Sequence, residues 1–398
     1  MLSRGLKVVI LGVMFASPLV LLAQASSAAD PSAPNNGPQN KAWWREITTD
    51  GFMSLSYTYN TNDPADHLNQ FRVFDFNTDP QLDVAQIVVQ HAVGEVSRYG
   101  FRYNMIAGSG VPEITAAYGM FRDKSSGIAH HFDIPEAYVS YVAPAGKGLR
   151  FDLGKFVTHL GYEVIGGYDG YNDNFSRGFI FGYGVPFTHT GIKASYSFNS
   201  RVSSALLITN GCDAVTRLNG GVTVGGQLAA VTSKNTTLTF NFLHGPERPH
   251  NDHDQRSVYE ITGSWKVLPR FAVAFDSLYA DEDHASADGS DAIWKGFTGY
   301  AKYNLTKEFS VAFRGEIFGD DGGSRTGTTQ TLRGFTLTPE YVLPAKLSQI
   351  SSALHHFDGK WVTRGEFRQD LSDHPTFQKG TSYTTRQFTT AVNLIYLF

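Results

Sequence analysis

The chain is poor in the features that organise most soluble proteins of its length. Its 398 residues hold one cysteine, Cys212, which excludes an internal disulfide framework and a cysteine-built zinc cage. Charged residues make up only 18%, against roughly 25% in ordinary globular domains. The 33 Lys and Arg nearly balance 37 Asp and Glu, a formal charge of −4, and no basic stripe marks a nucleic-acid partner. Beyond the first thirty residues there is no run of 18 apolar residues, so no membrane-spanning helix is expected there. A 3.6-residue apolar stripe is missing as well. Gly (40), Phe (29) and Tyr (19) are abundant instead.

Residues 1–29 read as a secretory signal peptide. Arg4 and Lys7 precede an apolar stretch from Val8 to Ala23, and Ala25-Ser26-Ser27-Ala28-Ala29 supply the small residues before cleavage, expected after Ala29. Residues 30–48 are expected to form a periplasmic N-terminal linker, Pro-, Asn- and Gly-rich over 30–40. The remainder, 49–398, reads as a single all-β unit.

From Phe52 onward, apolar and polar residues alternate. Phe271, Val273, Phe275 and Tyr279 share one parity, and so do Phe309, Val311, Phe313 and Ile317, with Arg314 and Glu316 on the other. Tyr259, Ile261 and Trp265 face away from Glu260, Thr262, Ser264 and Lys266. Such period-2 runs of about ten residues suit tilted strands crossing a bilayer. Short turns fall near Gly94, Pro144–Gly148, Asn199-Ser200, Ser233–Asn235, Pro269, Thr306-Lys307 and Pro344. They alternate with long polar stretches at 60–80, 108–131, 159–176, 210–221, 244–256, 281–290, 320–331 and 371–382. Seven turns and eight loops imply sixteen strands. The expected fold is a transmembrane antiparallel up-and-down β-barrel with short periplasmic turns and long external loops. A soluble sandwich also alternates, but its wet face would not pair with an opposite face this rich in Tyr, Phe and Trp.

The last strand alternates from Phe388 and ends on Phe398, resembling the C-terminal signature by which the barrel-assembly machinery recognises outer-membrane proteins. Pro186 and Pro339 lie in strand-like runs and are expected at bulges or strand ends near the rim. Residues 345–358 are too long for a periplasmic turn.

Sixteen strands enclose a channel rather than a side-chain core. By parity the inward charges are Arg98, Arg102, Glu136, Asp152, Lys193, Glu260, Lys266, Asp276, Lys302, Arg314, Glu316, Glu340, Arg364, Glu366 and Arg368. Their mixed signs suit cross-strand ion pairs, a transverse field acting on solutes, or both. The third long loop, 159–176, is the constriction candidate: it carries Glu163, Asp169 and Asp173, and Gly161, Gly166, Gly167 and Gly170 allow bends. Folded inward, as the third loop of trimeric porins is, it would face Arg98 and Arg102.

Other clusters carry less. His130-His131 and His355-His356 point to opposite faces if extended, so no metal site is expected. The acidic run Asp281–Asp291 lacks EF-hand spacing and reads as a solubilising loop. Gly220–Gly226 lacks the following Lys and helix of a phosphate loop, and no Gly-x-Ser-x-Gly elbow occurs. No cofactor is expected. A receptor or adhesin with a plugged lumen and, further off, a hydrolase built on the barrel wall are the alternatives to a pore.

Several stretches together resemble the β-barrel porin-2 (OmpL-like) outer-membrane family. They are Gly51-Phe52 with Arg72-Val73-Phe74-Asp75, Pro135–Tyr141, Gly146–Phe156 leading to Gly161-Tyr162-Glu163, Asn174–Gly178, Pro186–Gly191 and Arg364–Asp370. The resemblance implies an outer-membrane pore and names no catalytic residue. The expected function is passive diffusion of small hydrophilic solutes or ions. Expected partners are outer-membrane lipid and lipopolysaccharide, the assembly machinery through Phe398, and further copies in a homo-oligomer.

Overall fold

The computed structural model describes residues 43–73, 79–94, 97–116, 118–123, 126–167, 169–346, 349–350 and 358–398. The expected signal peptide, most of the linker and most of 345–358 lie outside them. Fifteen strands run in chain order: β1 (Thr48–Asn60), β2 (Gln81–His91), β3 (Tyr99–Ala107), β4 (Phe132–Ala143), β5 (Leu149–Val157), β6 (Thr188–Ser197), β7 (Val202–Thr209), β8 (Thr223–Ser233), β9 (Thr236–Gly245), β10 (Arg256–Leu268), β11 (Phe271–Glu282), β12 (Ala292–Asn304), β13 (Phe309–Asp320), β14 (Gln330–Ala345) and β15 (Gly359–Ser372). A small hairpin follows, β16 (Phe377–Lys379) and β17 (Ser382–Thr384), and then the last wall strand, β18 (Arg386–Leu397). Every wall strand pairs with its sequence neighbours, and β1 pairs antiparallel with β18 from Phe52↔Leu397 to Asn60↔Thr389. The result is a closed sixteen-strand barrel, as the turn count predicted.

Burial is inverted relative to a soluble protein. On β13, Phe313 is 44% exposed while its neighbour Arg314 is fully buried. Trp265 and Phe297 are likewise exposed, and Glu260, Thr262 and Thr298 are buried. In water this arrangement would waste the hydrophobic effect, whereas in hydrocarbon it places apolar surface against lipid and leaves every strand edge paired.

Closure involves the chain's last residue. Gly51 and Phe398 exchange backbone hydrogen bonds, N to O at 2.9 Å and 3.1 Å. The Phe398 ring occupies the space a side chain at 51 would need: a Cβ there would lie 2.1 Å from Cζ.

The two prolines divide. Pro186 lies just before β6, next to the strand end where it was expected. Pro339 is neither at a bulge nor at a strand end. It sits inside β14, where pairing with β15 passes from Leu337↔Phe367 to Glu340↔Arg364 in unchanged register. The missing N–H thus costs one gap in a ladder that continues on both sides.

Candidate functional site

The connection between β5 and β6 does not stay outside. It was expected to end at 176, but it runs from Thr158 to Phe187 and folds into the barrel, with a single π-helical turn at Ile180–Gly184 closed by Val185 N–H to Ile180 O at 3.2 Å. Gly161, at φ +95°, permits the entering bend. Phe179, Ile180 and Val185 pack with Leu243, Leu278, Trp294, Phe318 and Leu332 in one buried cluster. On this side the interior is therefore filled by packed side chains rather than left as an open lumen. The apolar run 179–185 has no strand or helix period, so its burial on the inside of a barrel was not legible from spacing.

Backbone inside a barrel needs partners, and the wall charges supply them. Gly161 N–H donates to both Glu260 carboxylate oxygens at 2.8 Å, and Tyr162 N–H to Asp276 Oδ2 at 3.0 Å. Phe175 and Ser176 N–H donate to Glu366 at 2.7 and 3.0 Å, and Phe179 N–H to Glu316 Oε2 at 2.6 Å. In the other direction Arg364, Arg368 and Arg314 donate to the carbonyls of Asn172, Arg177 and Ser176, at 2.6, 2.6 and 2.5 Å. Lys302 joins Asp173 (2.7 Å) and Glu340 (3.3 Å). A buried ladder of charge runs Arg72–Asp370–Arg368–Glu316–Arg314–Glu163, with steps of 2.7, 2.7, 3.4, 3.1 and 2.7 Å. It links the first long loop, through the wall, to the inner segment. Most of these anchors stand on β10–β15.

The opposite wall differs. Arg102 Nε binds Glu136 Oε2 at 2.6 Å, and its Nη2 meets Asp169 of the inner segment. Asp152 joins Arg150 (2.8 Å) and Lys193 (3.3 Å) and accepts from Ser140 Oγ at 2.6 Å. A cavity of about 170 Å³ lies between residues 156–170 and strands β2–β8, lined among others by Gln86, Asn104, Tyr138, Phe187, Lys193 and Gln227. His159 borders it. Its Nε2–H donates to Phe242 O at 2.9 Å.

Of the residues named from sequence, Arg98 is misplaced. It is exposed in the turn before β3, donates to Val142 O at 3.3 Å and does not face the inner segment. Lys266 is exposed too, at the break in β10–β11 register between Trp265 and Leu268. Parity fails at both because neither sits in regular ladder. The amides Gln86, Asn104, Gln227 and Asn241 were missed, although inward parity marks them as it does the charges.

A family model described as "Putative beta-barrel porin-2, OmpL-like" matches residues 46–398. No curated protein matches the chain in sequence. Solved structures similar to it include the outer membrane channel DcaP of Acinetobacter baumannii, at 10% identity and a TM-score of 0.56, covering 88% of this chain and 97% of that one. An anion-selective porin from Comamonas acidovorans is also similar (10%, 0.54, covering 88% and 99%), as is OprB of Pseudomonas putida (7%, 0.54, covering 88% and 94%). At these identities the likeness is one of fold.

Proposed function

The chain belongs to the beta-barrel porin-2, OmpL-like family and is an outer-membrane porin, and on that premise we propose that small hydrophilic solutes and ions cross it passively along one side of the lumen, between the inner segment and β2–β8. The observation that carries this reading is the asymmetry of anchoring. Wall charges on β10–β15 are spent on the segment's backbone, whereas the β2–β8 side retains a cavity with polar groups turned into it. Arg102, Glu136, Asp169, Asp152 and Lys193 then act on solutes. Glu163, Asp173, Glu260, Lys302, Arg314, Glu316, Glu340, Arg364, Glu366 and Arg368 act by fixing the constriction.

Catalysis is not part of this reading. Ser176 Oγ is taken up by Arg314 and Arg368 at 3.3 and 3.1 Å, and His189 binds Thr158 Oγ1 (3.1 Å) and Gly211 O (3.2 Å) rather than Ser176. Lipid and lipopolysaccharide around the apolar belt, recognition of Phe398 by the assembly machinery, and a homo-oligomer complete the proposal. Reconstitution in planar bilayers tests it: folded protein gives stepwise conductance, and silent bilayers with folded protein would remove the pore.

A further inference from the structure

The cavity beside β2–β8 carries two poles of opposite sign. Arg150 and Lys193 share the single carboxylate of Asp152, two positive charges against one, leaving +1. Arg102 faces both Glu136 and Asp169, one positive charge against two, leaving −1. Neither pole is closed. Lys193 Nζ has three hydrogens to donate, and its one carboxylate partner among the described residues is Asp152, at 3.3 Å. The Asp169 side chain is 39% exposed, so one face of that carboxylate is available to a cation.

Between the poles the surface is aromatic and apolar. Tyr138 stands opposite Arg102 in the ladder, and Lys193 Nζ lies 5.9 Å from its ring and 5.0 Å from that of Phe156. Phe187, Val185 and Leu160 continue this surface, which Gln86, Asn104 and Gln227 also line. The cavity's volume of about 170 Å³ is below the roughly 300–1,000 Å³ of pockets for drug-sized ligands, so it takes one small solute. A simple anion or cation satisfies one pole and is repelled by the other. A sugar leaves both unmatched.

We propose that this cavity is a binding site for short zwitterionic peptides with apolar side chains, dipeptides above all. The carboxylate meets Lys193, the ammonium group meets Asp169, and the side chains lie on Phe156 and Phe187. Lys193 reaches the Tyr138 ring, Tyr138 stands opposite Arg102, and Arg102 holds Asp169, so the two poles are not side by side, which suits the two ends of a dipeptide better than the adjacent charges of one amino acid. This deepens the porin reading and rests on it.

The test uses the full folded barrel and three probes: leucyl-alanine, its N-acetylated form and its C-terminal amide. In planar bilayers the free dipeptide should interrupt the open-channel current, and each capped form should need about tenfold higher concentration, the loss expected from one charge-assisted contact. Lys193→Gln should erase the preference for the free carboxylate, and Asp169→Asn the preference for the free amine. Equal block by all three probes, or by none, overturns the site, and this wild-type series decides even where a variant fails to assemble. Calorimetric titration of the detergent-folded protein with the same probes separates the two claims. Ordered binding without conductance counts against the pore alone. Conductance without ordered binding counts against the dipeptide site alone.

Discussion

Glu163 of the inner segment and Arg314 of strand β13 meet at 2.7 Å, both side chains at most 4% exposed, across 151 residues of sequence. This pair joins the two halves of the architecture: the wall whose alternation builds the barrel and the segment that narrows it. Arg314 is also bound to Glu316, Ser176 and Thr336.

Removing that guanidinium therefore leaves the buried Glu163 carboxylate without its cation and Glu316 with Arg368 alone. Arg314→Met is expected to cost about 3–5 kcal/mol, the usual penalty for stripping one partner from a buried pair. Denaturant titration of the detergent-folded barrel reads it. Arg314→Met combined with Glu163→Gln should recover part of the loss, and single-channel conductance should rise in Arg314→Met as the segment loosens. Unchanged stability and conductance would contradict the anchoring role.

Barrel closure supplies a second expectation. Gly51→Val places a branched side chain where the Phe398 ring now sits. Overpacking of this kind costs about 1–3 kcal/mol, so the heat-modifiable folded band on gels should weaken. Phe398→Ala in the same chain vacates the space and should restore in-vitro folding.

Asp213, in the connection between β7 and β8, holds the far end of the inner segment: its Oδ1 accepts Phe187 and Thr188 N–H at 2.9 Å each. Burial pushes its carboxyl up to about 6 from 3.8, against the pull of those two donors. The native state thus retains a proton that the unfolded chain has lost between about pH 4 and 6. That contribution is complete below about pH 4 and fades as pH rises through 6. Asp213→Asn keeps the acceptor and cannot ionise. The midpoint of the wild type, measured against this variant, should fall as pH goes from 4 to 7, and a flat difference would contradict the assignment.

Much of this was legible beforehand because a β-barrel repeats one rule. Alternation fixed which side of each strand Arg314, Glu316 and Glu366 occupy, and turn chemistry at Pro269 or Thr306-Lys307 fixed where strands reverse. The rule stops where the ladder stops. Arg98 and Lys266 keep the right parity but leave the regular ladder. Arg177–Phe187, apolar and glycine-rich without a period, could as well have been wall as plug. Only packing against Trp294, whose Nε1–H donates to Gly184 O at 3.0 Å, distinguishes the two.

Thiol modification tests the off-centre passage most directly. In a Cys212→Ala background, single cysteines replace Gln227, beside the cavity, or Thr338, buried against Asn174 and Glu366 on the anchored side. A charged, water-soluble thiol reagent should cut the single-channel current of Gln227→Cys and leave that of Thr338→Cys unchanged. Block of Thr338→Cys with Gln227→Cys unaffected would mean that solutes pass on the side assigned here to the closed wall.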